Sequence, residues 1–302
     1  MTSPIPIKLE TDVARREFID KFDALLLDCD GVIWDGEKVL PGVRETLKYL
    51  RSKGKQLLFV SNNSSKSRDA YLVKFQKLGI EAHKDEIFGS AYTSAYYLKN
   101  VINFSTDKKV YVIGGLGITD ELAVEGIRYS GSTADNESLK SMDFSELVPD
   151  PEVGAVLCGF DDHINYRKLA KAFTYLHSNS NCLFLLTNDD TTYPLNGSLL
   201  PGSGSLAAPL ITALNRKPDC VIGKPNKPML DCIMKKFHLN VKRTCMIGDR
   251  LDTDIQFGIN GGIFSLLVLT GVSKEKEILA NDAPIVPNYY VESLGDFATI
   301  IE

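Results

Sequence analysis

The sequence predicts an α/β fold in which one domain is inserted into another. Strand and helix patterns alternate from residue 24 to about residue 92, and the alternation resumes after about residue 205. Such alternation is typical of a parallel sheet with helices on its faces. Because the middle of the chain has an alternation of its own, we predict a core domain formed by 1–92 and 206–302 and an inserted α/β domain at 93–205.

The first predicted strand ends in two closely spaced acids. The apolar run 22–27, which contains a single acid at Asp23, leads into Asp28-Cys29-Asp30-Gly31-Val32. In α/β sheets, ligands gather where such strands end. One carboxylate can attack phosphorus while a second protonates the leaving oxygen and later activates water. We predict Asp28 as the nucleophile and Asp30 as the acid/base, with the chain curling at Gly31 so that both face one site. A plain turn after a strand is the alternative.

A second apolar run, 56–60, ends in a stretch of hydroxyl and amide side chains. This stretch is Ser61-Asn62-Asn63-Ser64-Ser65. Its side chains and backbone N–H groups suit an oxyanion. They also suit the cap of a helix predicted around 67–77, and both interpretations can hold because a helix N-terminus attracts anions.

A lysine follows the third short strand pattern. The residues 220–223 lead into Lys224-Pro225, and a helix is predicted to begin near Pro228. A lysine at this place can neutralise both an attacking carboxylate and the charge on a phosphoryl group. The alternative is ordinary solvated surface charge.

The fourth pattern places another acid at a strand end. The run 244–247 is followed by Gly248-Asp249-Arg250-Leu251-Asp252-Thr253-Asp254. Asp249 and Asp28 could together hold Mg²⁺, which prefers hard oxygen ligands. We predict that Asp254 supports the loop, a metal-bound water or Lys224.

Taken in order, these four elements resemble the motifs of the haloacid dehalogenase (HAD) superfamily of phosphohydrolases. Other segments are similar to the large-cap subgroup that contains 4-nitrophenylphosphatase, phosphoglycolate phosphatase and chronophin: Leu40-Pro41-Gly42, Thr187-Asn188-Asp189-Asp190, Pro201-Gly202-Ser203-Gly204-Ser205 and Leu269-Thr270-Gly271-Val272. The resemblance implies a Rossmann-like parallel-sheet core of the HAD type, with a large α/β cap inserted into it.

The resemblance also implies roles for individual residues. The Mg²⁺ ligands would be the side chains of Asp28 and Asp249 and the backbone carbonyl of Asp30. The phosphoryl oxygens would be held by Ser61 and Lys224, with backbone N–H groups near Gly31 and Asn62. Dehalogenases of the superfamily lack the second acid and need no metal, so Asp30 favours phosphate ester hydrolysis over carbon–halogen cleavage. Sugar-phosphate mutases share the four motifs and remain an alternative at this stage.

We therefore expect a Mg²⁺-dependent phosphomonoesterase acting on small metabolites, with 2-phosphoglycolate as the expected substrate type and 4-nitrophenyl phosphate as an artificial one. The expected selectivity segment is 188–195, with Asp190 and Tyr193 reaching toward the substrate; a turn with a surface tyrosine is the alternative. Chronophin has a histidine where this chain has Tyr193, which disfavours pyridoxal phosphate. A pyridoxal-phosphate or phosphoprotein phosphatase remains an alternative, as does a catalytically silent metabolite-binding sensor.

The composition sets limits on partners and location. The formal net charge of −5 over 302 residues gives no basic footprint for nucleic acid. We find no secretory signal and no apolar stretch long enough to cross a membrane, so we expect no membrane partner. The resemblance implies a homodimer through the cap.

The six cysteines show no metal-type spacing. We interpret them as free thiols in a reducing compartment, which places the protein in the cytoplasm, with the nucleus as a second expected location. Cys29 lies between the two acids, so we also consider the hypothesis that its oxidation regulates activity.

Overall fold

The computed structural model of the protein describes residues 5–139, 147–195 and 198–301. The chain forms two compact units. The core unit comprises Met1–Ser61, Tyr71–Phe88 and Lys224–Glu302, and the inserted unit comprises Asn62–Ala70 and Gly89–Gly223.

Strands and helices alternate along both units, as the sequence predicts. The strands of the described residues are β1 (Ile7–Lys8), β2 (Ala24–Leu27), β3 (Trp34–Asp35), β4 (Lys38–Val39), β5 (Gln56–Ser61), β6 (Ile87–Gly89), β7 (Lys109–Ile113), β8 (Arg128–Gly131), β9 (Val153–Cys158), β10 (Leu183–Leu186), β11 (Thr192–Leu195), β12 (Ser198–Pro201), β13 (Cys220–Val221), β14 (Thr244–Gly248), β15 (Phe264–Val268) and β16 (Tyr289–Val291). The α-helices of the same residues are α1 (Asp12–Lys21), α2 (Val43–Ser52), α3 (Arg68–Lys77), α4 (Ser90–Asn100), α5 (Leu116–Val124), α6 (Tyr166–Ser178), α7 (Ser203–Leu214), α8 (Lys227–Phe237), α9 (Gln256–Gly261) and α10 (Glu275–Ile278).

The core unit is built on a sheet with the strand order β1-β16-β15-β14-β2-β5-β6. Each of the five neighbouring pairs in β1-β16-β15-β14-β2-β5 is parallel. Leu27 of β2 is paired with Ile247 of β14 on one side and with Phe59 of β5 on the other. Because these three strands are parallel neighbours, their carboxyl ends lie at the same edge of the sheet, which is where α/β folds place ligands.

Apolar side chains cover both faces of this sheet. Leu25 and Leu27 belong to the larger cluster, and Leu267 and Ile255 belong to a smaller one. Every residue of β2 is buried. A strand covered on both faces needs a continuous apolar run rather than alternation, and this explains why every residue of β2 is apolar. The predicted α/β class with a parallel-sheet core is confirmed.

The inserted unit has its own five-stranded sheet, in the order β13-β10-β9-β7-β8. Its neighbouring strands are all paired in parallel. One apolar cluster, around Phe184, includes residues of α6 and α7, and another, around Val110, includes residues of α4 and α5. A separate antiparallel hairpin joins β11 to β12 and places Tyr193 opposite Leu200.

The predicted domain boundaries need correction. The boundary at 92/93 falls inside α4, whose Ala91 and Ala95 pack in the inserted unit. The boundary at 205/206 separates α7 from its own sheet, since β13 pairs with β10 and the unit continues to Gly223. Alternation of strands and helices does not reveal which sheet a short strand joins, because that choice is made by tertiary pairing.

In the part of the chain that the structure describes, no helix combines the length and the apolar composition needed to span a bilayer.

Candidate active site

Lys224 is the centre of a buried charge cluster in the core unit. Its Nζ lies 2.8 Å from Oδ1 of Asp28 and 2.7 Å from Oδ1 of Asp254, and it also donates to the backbone carbonyl of Val60 at 3.0 Å. Lys224 is only 2% exposed. Burial opposes its charge, but the carboxylates of Asp254 and Asp28 outweigh burial and hold the pKa of Lys224 above its usual value. The ammonium therefore stays charged beside the predicted nucleophile.

The strand before Lys224 belongs to a different sheet from the strands before the other three motifs. Asp28 follows β2, Ser61 ends β5 and Asp249 follows β14, and all three strands belong to the core sheet. Lys224 instead comes shortly after β13, which belongs to the sheet of the inserted unit. The lysine lies in the core unit because the chain re-enters it at this residue.

Asp249 and Asp254 complete the cluster. One carboxylate oxygen from each of Asp28, Asp249 and Asp254 lies within 4.8 Å of the others. Burial raises the pKa of Asp249 to about 8, and the negative charges of Asp254 and Asp28 add to this. Burial also raises the pKa of Asp254 to about 6, against the effect of Lys224, and it raises the pKa of Asp28. Three acids facing one ammonium form a set of hard oxygen donors whose excess negative charge fits a divalent cation.

The loop that carries Asp254 has an unusual local structure. Residues Leu251–Ile255 form a single π-helical turn directly before α9, a feature that often occurs at functional sites. Oδ2 of Asp254 accepts hydrogen bonds from the backbone N–H groups of Asp249 (3.2 Å) and Arg250 (3.1 Å). Asp254 thus contacts both the loop and Lys224. Support of the loop and support of Lys224 are two of the three roles predicted for it.

Two glycines allow the backbone to approach Asp249 closely. Gly31 has a φ of +80°, and a Cβ built there would lie 2.7 Å from Oδ2 of Asp249. A Cβ on Gly271 would lie 1.8 Å from the same oxygen. The next residue, Val272, donates its backbone N–H to this oxygen at 2.8 Å. The expected curl of the chain at Gly31 is present, and no larger residue fits either position.

Asp30 is more exposed than the buried cluster and has its own partners. Its side chain is 56% exposed, and Lys74 Nζ lies 4.0 Å from Oδ1. The indole N–H of Trp34 donates to the same oxygen at 2.8 Å. An exposed carboxyl group held by a hydrogen bond can exchange protons with a substrate or water.

The predicted phosphate-binding residues fall in different environments. Ser61 is 5% exposed, and its Oγ accepts a hydrogen bond from the hydroxyl of Tyr71 at 3.1 Å. The N–H of Gly31 donates to the backbone carbonyl of Trp34 at 2.8 Å, so this N–H is already used and does not support the phosphate contact expected of it. The sequence could not reveal this bond because it depends on the turn made by residues 29–34.

Within the inserted unit, Asp190 is paired with Asn62. The Nδ2 of Asn62 donates to both carboxylate oxygens of Asp190, at 3.1 and 3.0 Å. The carbonyl of Asn62 accepts from Ser90 and from Asn188. Tyr193 packs edge-on against Phe160, with ring centroids 5.1 Å apart. These contacts were not foreseen, because they join segments far apart in the sequence.

The six cysteines are free thiols, as expected. Burial raises the pKa of Cys29 well above its usual value, and the neighbouring charges of Asp28 and Asp30 raise it further. The thiolate is the reactive form of cysteine. The hypothesis that oxidation of Cys29 regulates activity therefore gains no support from its surroundings.

Sequence reasoning missed Trp34 and Lys74, which both contact Asp30. One signal was present: Trp34 is the only tryptophan in the chain and follows Asp30 by four residues. No comparable signal marked Lys74, because one lysine on a helix looks like any other until the tertiary structure is known.

Two family models match the chain in the regions that carry these residues. A haloacid dehalogenase-like hydrolase model matches residues 25–128, and a HAD-hydrolase-like model matches residues 221–297. Together they include Asp28, Asp30, Lys224 and Asp249.

Curated relatives match over nearly the whole chain. The chain is 52% identical over 294 residues to a 4-nitrophenylphosphatase of Schizosaccharomyces pombe, covering 96% of this chain and 98% of the relative. It is 43% identical over 290 residues to phosphoglycolate phosphatase 2 of Arabidopsis thaliana, covering 95% of this chain and 96% of the relative.

Solved structures agree with the sequence matches. A crystal structure of 4-nitrophenylphosphatase from Thermotoga maritima is similar with a TM-score of 0.80 and 28% identity, covering 94% of this chain and 99% of that one. A glycerol phosphate phosphatase from Mycobacterium tuberculosis, crystallised in complex with calcium, is similar with a TM-score of 0.77 and 28% identity, covering 93% and 76% of the two chains. On the strength of these matches, the chain belongs to the haloacid dehalogenase-like hydrolases, in the part of the family whose named relatives are phosphatases.

Proposed function

We propose that the protein is a Mg²⁺-dependent phosphomonoesterase that hydrolyses small phosphorylated metabolites through an aspartyl-phosphate intermediate. The observation that carries this proposal is the contact of Lys224 with Asp28 at the carboxyl edge of the core sheet. The contact pairs a carboxylate nucleophile with a cation that can stabilise the incoming phosphoryl group.

The proposed reaction has two steps. First, a carboxylate oxygen of Asp28 forms a bond to phosphorus while the ester P–O bond breaks and Asp30 gives its proton to the leaving oxygen. Second, water attacks the phosphorus and gives a proton to the Asp30 carboxylate while the bond between Asp28 and phosphorus breaks. Inorganic phosphate leaves, and both acids return to their starting forms. Lys224 and Ser61 hold the phosphoryl oxygens in both steps.

Asp28, Asp249 and the backbone carbonyl of Asp30 would hold the Mg²⁺ ion. When bound, the ion would reduce the repulsion between these acids and the phosphate ester. The raised pKa of Asp249 supports this assignment, because burial and the charges of Asp254 and Asp28 disfavour its carboxylate form unless a cation lies beside it. The calcium complex of the Mycobacterium tuberculosis relative is consistent with a hard divalent cation.

Our proposed substrate class is short, anionic phosphate esters such as 2-phosphoglycolate. The similarity to phosphoglycolate phosphatases of Arabidopsis thaliana supports it. Glycerol 3-phosphate is a second candidate, because relatives that are 39% identical are named glycerol-3-phosphate phosphatases. Pyridoxal phosphate and phosphoproteins rank lower, and the complete set of acids with Lys224 disfavours a silent sensor.

We further propose that the inserted unit acts as the cap, with Asp190 and Tyr193 in substrate selection, and that two copies form a homodimer through it. We expect the protein to work in the cytoplasm, with the nucleus as a second location. No nucleic acid or membrane partner is proposed.

A panel of phosphorylated metabolites tests the proposal, with kcat/KM as the readout, because discrimination between substrates is expressed in that ratio. We expect 2-phosphoglycolate or glycerol 3-phosphate to exceed pyridoxal phosphate and phosphopeptides. Asp28→Asn is the control for background hydrolysis. Faster turnover of phosphopeptides would overturn the substrate class, and phosphate-ester binding without turnover by the unaltered protein would overturn the proposed reaction.

A further inference from the structure

The side chain of Trp34 occupies a rigid, buried position next to Asp30. The side chain is 0% exposed. The backbone of Trp34 pairs with that of Val39 in the antiparallel hairpin formed by β3 and β4. Its ring packs edge-on against Phe75, with centroids 5.1 Å apart. Such packing leaves an indole little freedom to move.

One hydrogen bond joins this rigid ring to the predicted acid/base. The indole N–H donates to Oδ1 of Asp30 at 2.8 Å. Backbone bonds hold the same turn, because the N–H of Trp34 donates to the carbonyl of Cys29 and the N–H of Gly31 donates to the carbonyl of Trp34. An exposed aspartate without such a partner samples several side-chain rotamers.

The donor also determines which oxygen can carry a transferable proton. An indole N–H only donates, so Oδ1 must accept. The C=O oxygen of a protonated carboxyl group is the better acceptor, so the bond from Trp34 favours the proton on Oδ2 when Asp30 acts as the acid. No described residue donates a hydrogen bond to Oδ2, which leaves that oxygen to the reacting groups.

Lys74 supports the arrangement from α3. Its Nζ lies 4.2 Å from the centre of the Trp34 ring and 4.0 Å from Oδ1 of Asp30. Its side chain is 14% exposed. A cation over an indole face is attracted to the ring, and here it also attracts the carboxylate. Trp34 and Lys74 thus contact the same oxygen of Asp30.

We propose that Trp34 and Lys74 are positioning residues that hold Asp30 so that Oδ2 faces the leaving oxygen of the substrate. This inference rests on the proposed function, in which Asp30 is the general acid. In the first step, the Oδ2–H bond breaks and its proton joins the leaving oxygen as the P–O ester bond breaks. The new bond joins Asp28 to phosphorus, and Asp30 is left as a carboxylate.

The leaving group provides the test. 4-Nitrophenolate is a stabilised anion and departs without a proton, whereas the alkoxide of an alkyl phosphate needs one. The quantity measured is the ratio of kcat/KM for 2-phosphoglycolate to kcat/KM for 4-nitrophenyl phosphate, since kcat/KM reports the steps up to formation of the aspartyl-phosphate. Loss of a positioned acid lowers this ratio. A general loss of stability in the core lowers kcat/KM for both substrates by the same factor and leaves the ratio unchanged.

Trp34→Phe removes the N–H donor and keeps an aromatic ring. We expect the ratio to fall roughly tenfold or more, which is part of the about 10²–10⁴-fold that a general acid contributes. Phe75→Leu is the matched control, because it disturbs the same aromatic contact without touching Asp30, and its ratio should equal that of the unaltered protein.

A second variant removes the donor with almost no change in volume. Because the chain has a single tryptophan, biosynthetic replacement of tryptophan by β-(3-benzothienyl)alanine changes only position 34 and puts sulfur where the N–H was. We expect the same fall in the ratio. This variant keeps the test valid if Trp34→Phe does not fold.

Two substitutions test whether the positive charge of Lys74 contributes to the position of Asp30. Lys74→Met keeps the aliphatic contact with the indole and should lower the ratio by a smaller factor, while Lys74→Arg should restore it. If Lys74→Met leaves the ratio unchanged, Lys74 does not position Asp30 and that part of the proposal is overturned.

Asp30→Asn separates failure of the inference from failure of the proposed function. If Asp30→Asn leaves the ratio unchanged, Asp30 is not the general acid and the proposed function fails in that respect. If Asp30→Asn lowers the ratio and the Trp34 variants match Phe75→Leu, the positioning role is overturned while the proposed function stands.

Discussion

Each unit of the protein contains a buried lysine paired with aspartate, and the two lysines differ in how their charge is balanced. In the inserted unit, Lys168 is 0% exposed and lies 2.7 Å from Oδ2 of Asp161 and 2.7 Å from Oδ1 of Asn136. One cation faces one carboxylate there. In the core unit, Lys224 faces Asp28 and Asp254, with Asp249 in the same cluster.

This difference distinguishes a structural ion pair from the candidate active site. A balanced buried pair with a further hydrogen bond needs no ligand, because every charge has a partner. Three acids with one ammonium leave an excess of negative charge, which adds to the effect of burial in raising the pKa values of Asp249 and Asp254. A divalent cation or a reaction that uses the acids can balance such a cluster. We therefore expect changes at Lys168 to affect stability and changes at Lys224 to affect catalysis.

The largest expected effect on activity comes from Asp28→Asn. An amide cannot act as the nucleophile, so we expect turnover of 4-nitrophenyl phosphate to fall by about 10⁴-fold or more. The matched change in the balanced pair, Asp161→Asn, should leave kcat near that of the unaltered protein. Turnover by a folded Asp28→Asn protein near that of the unaltered one would remove Asp28 from its assigned role.

Next in size is Lys224→Met, which removes the cation beside the nucleophile. Loss of one preorganised donor to a developing charge typically costs about 10²–10³-fold in kcat, and we expect a loss of that order. Lys168→Met should keep kcat but lower the free energy of unfolding by roughly 3–5 kcal/mol, because it leaves Asp161 buried without a counter-charge. Urea unfolding followed by circular dichroism measures the second effect. Equal losses of kcat in both variants would contradict the comparison.

Removal of the metal ion should stop the reaction and lower the stability of the protein, because the negative charges of Asp28, Asp249 and Asp254 are then not balanced. We expect EDTA to abolish activity and Mg²⁺ to restore it. Mg²⁺ should also raise the melting temperature of the metal-free protein, because a ligand that binds only the folded state stabilises it. Asp249→Asn should weaken this shift, while Lys168→Met should retain it. Full activity in EDTA would refute the ligand role of Asp249.

The smallest expected effect lies in the inserted unit, at the contact between Asn62 and Asp190. Asp190→Asn should change the ratio of kcat/KM for 2-phosphoglycolate to kcat/KM for glycerol 3-phosphate by roughly tenfold, the lower end of the about 10–200-fold that small contacts provide. Activity toward 4-nitrophenyl phosphate should change less. An unchanged ratio would limit Asp190 to a structural role.

Local sequence patterns predicted much of the core unit. The apolar runs of β2, β5 and β14 identified buried strands, and the acidic and polar residues after them identified the edge where the candidate site lies. The α/β class followed from these patterns, whereas the HAD family was recognised by the resemblance of four motifs, and the comparisons confirm both. The assigned role of each site residue stays a prediction until the experiments above are done.

Pairing between distant segments was not predictable in the same way. The short strand β13 joins the inserted sheet although Lys224, only a few residues later, lies in the core unit. Lys74 reaches Asp30 because α3 packs beside the β3–β4 turn, and Asn62 meets Asp190 across 128 residues of sequence.

The sequence by itself determined the order of strands and helices, the acids at the strand ends and the phosphohydrolase family, because hydrophobic periodicity and short motifs are properties of neighbouring residues. Only the tertiary structure decided the extent of the inserted unit, the excess of negative charge around Lys224 and the partners of Asp30. These features depend on burial and on distances between residues far apart in the chain, and the free energy of a charge changes with both.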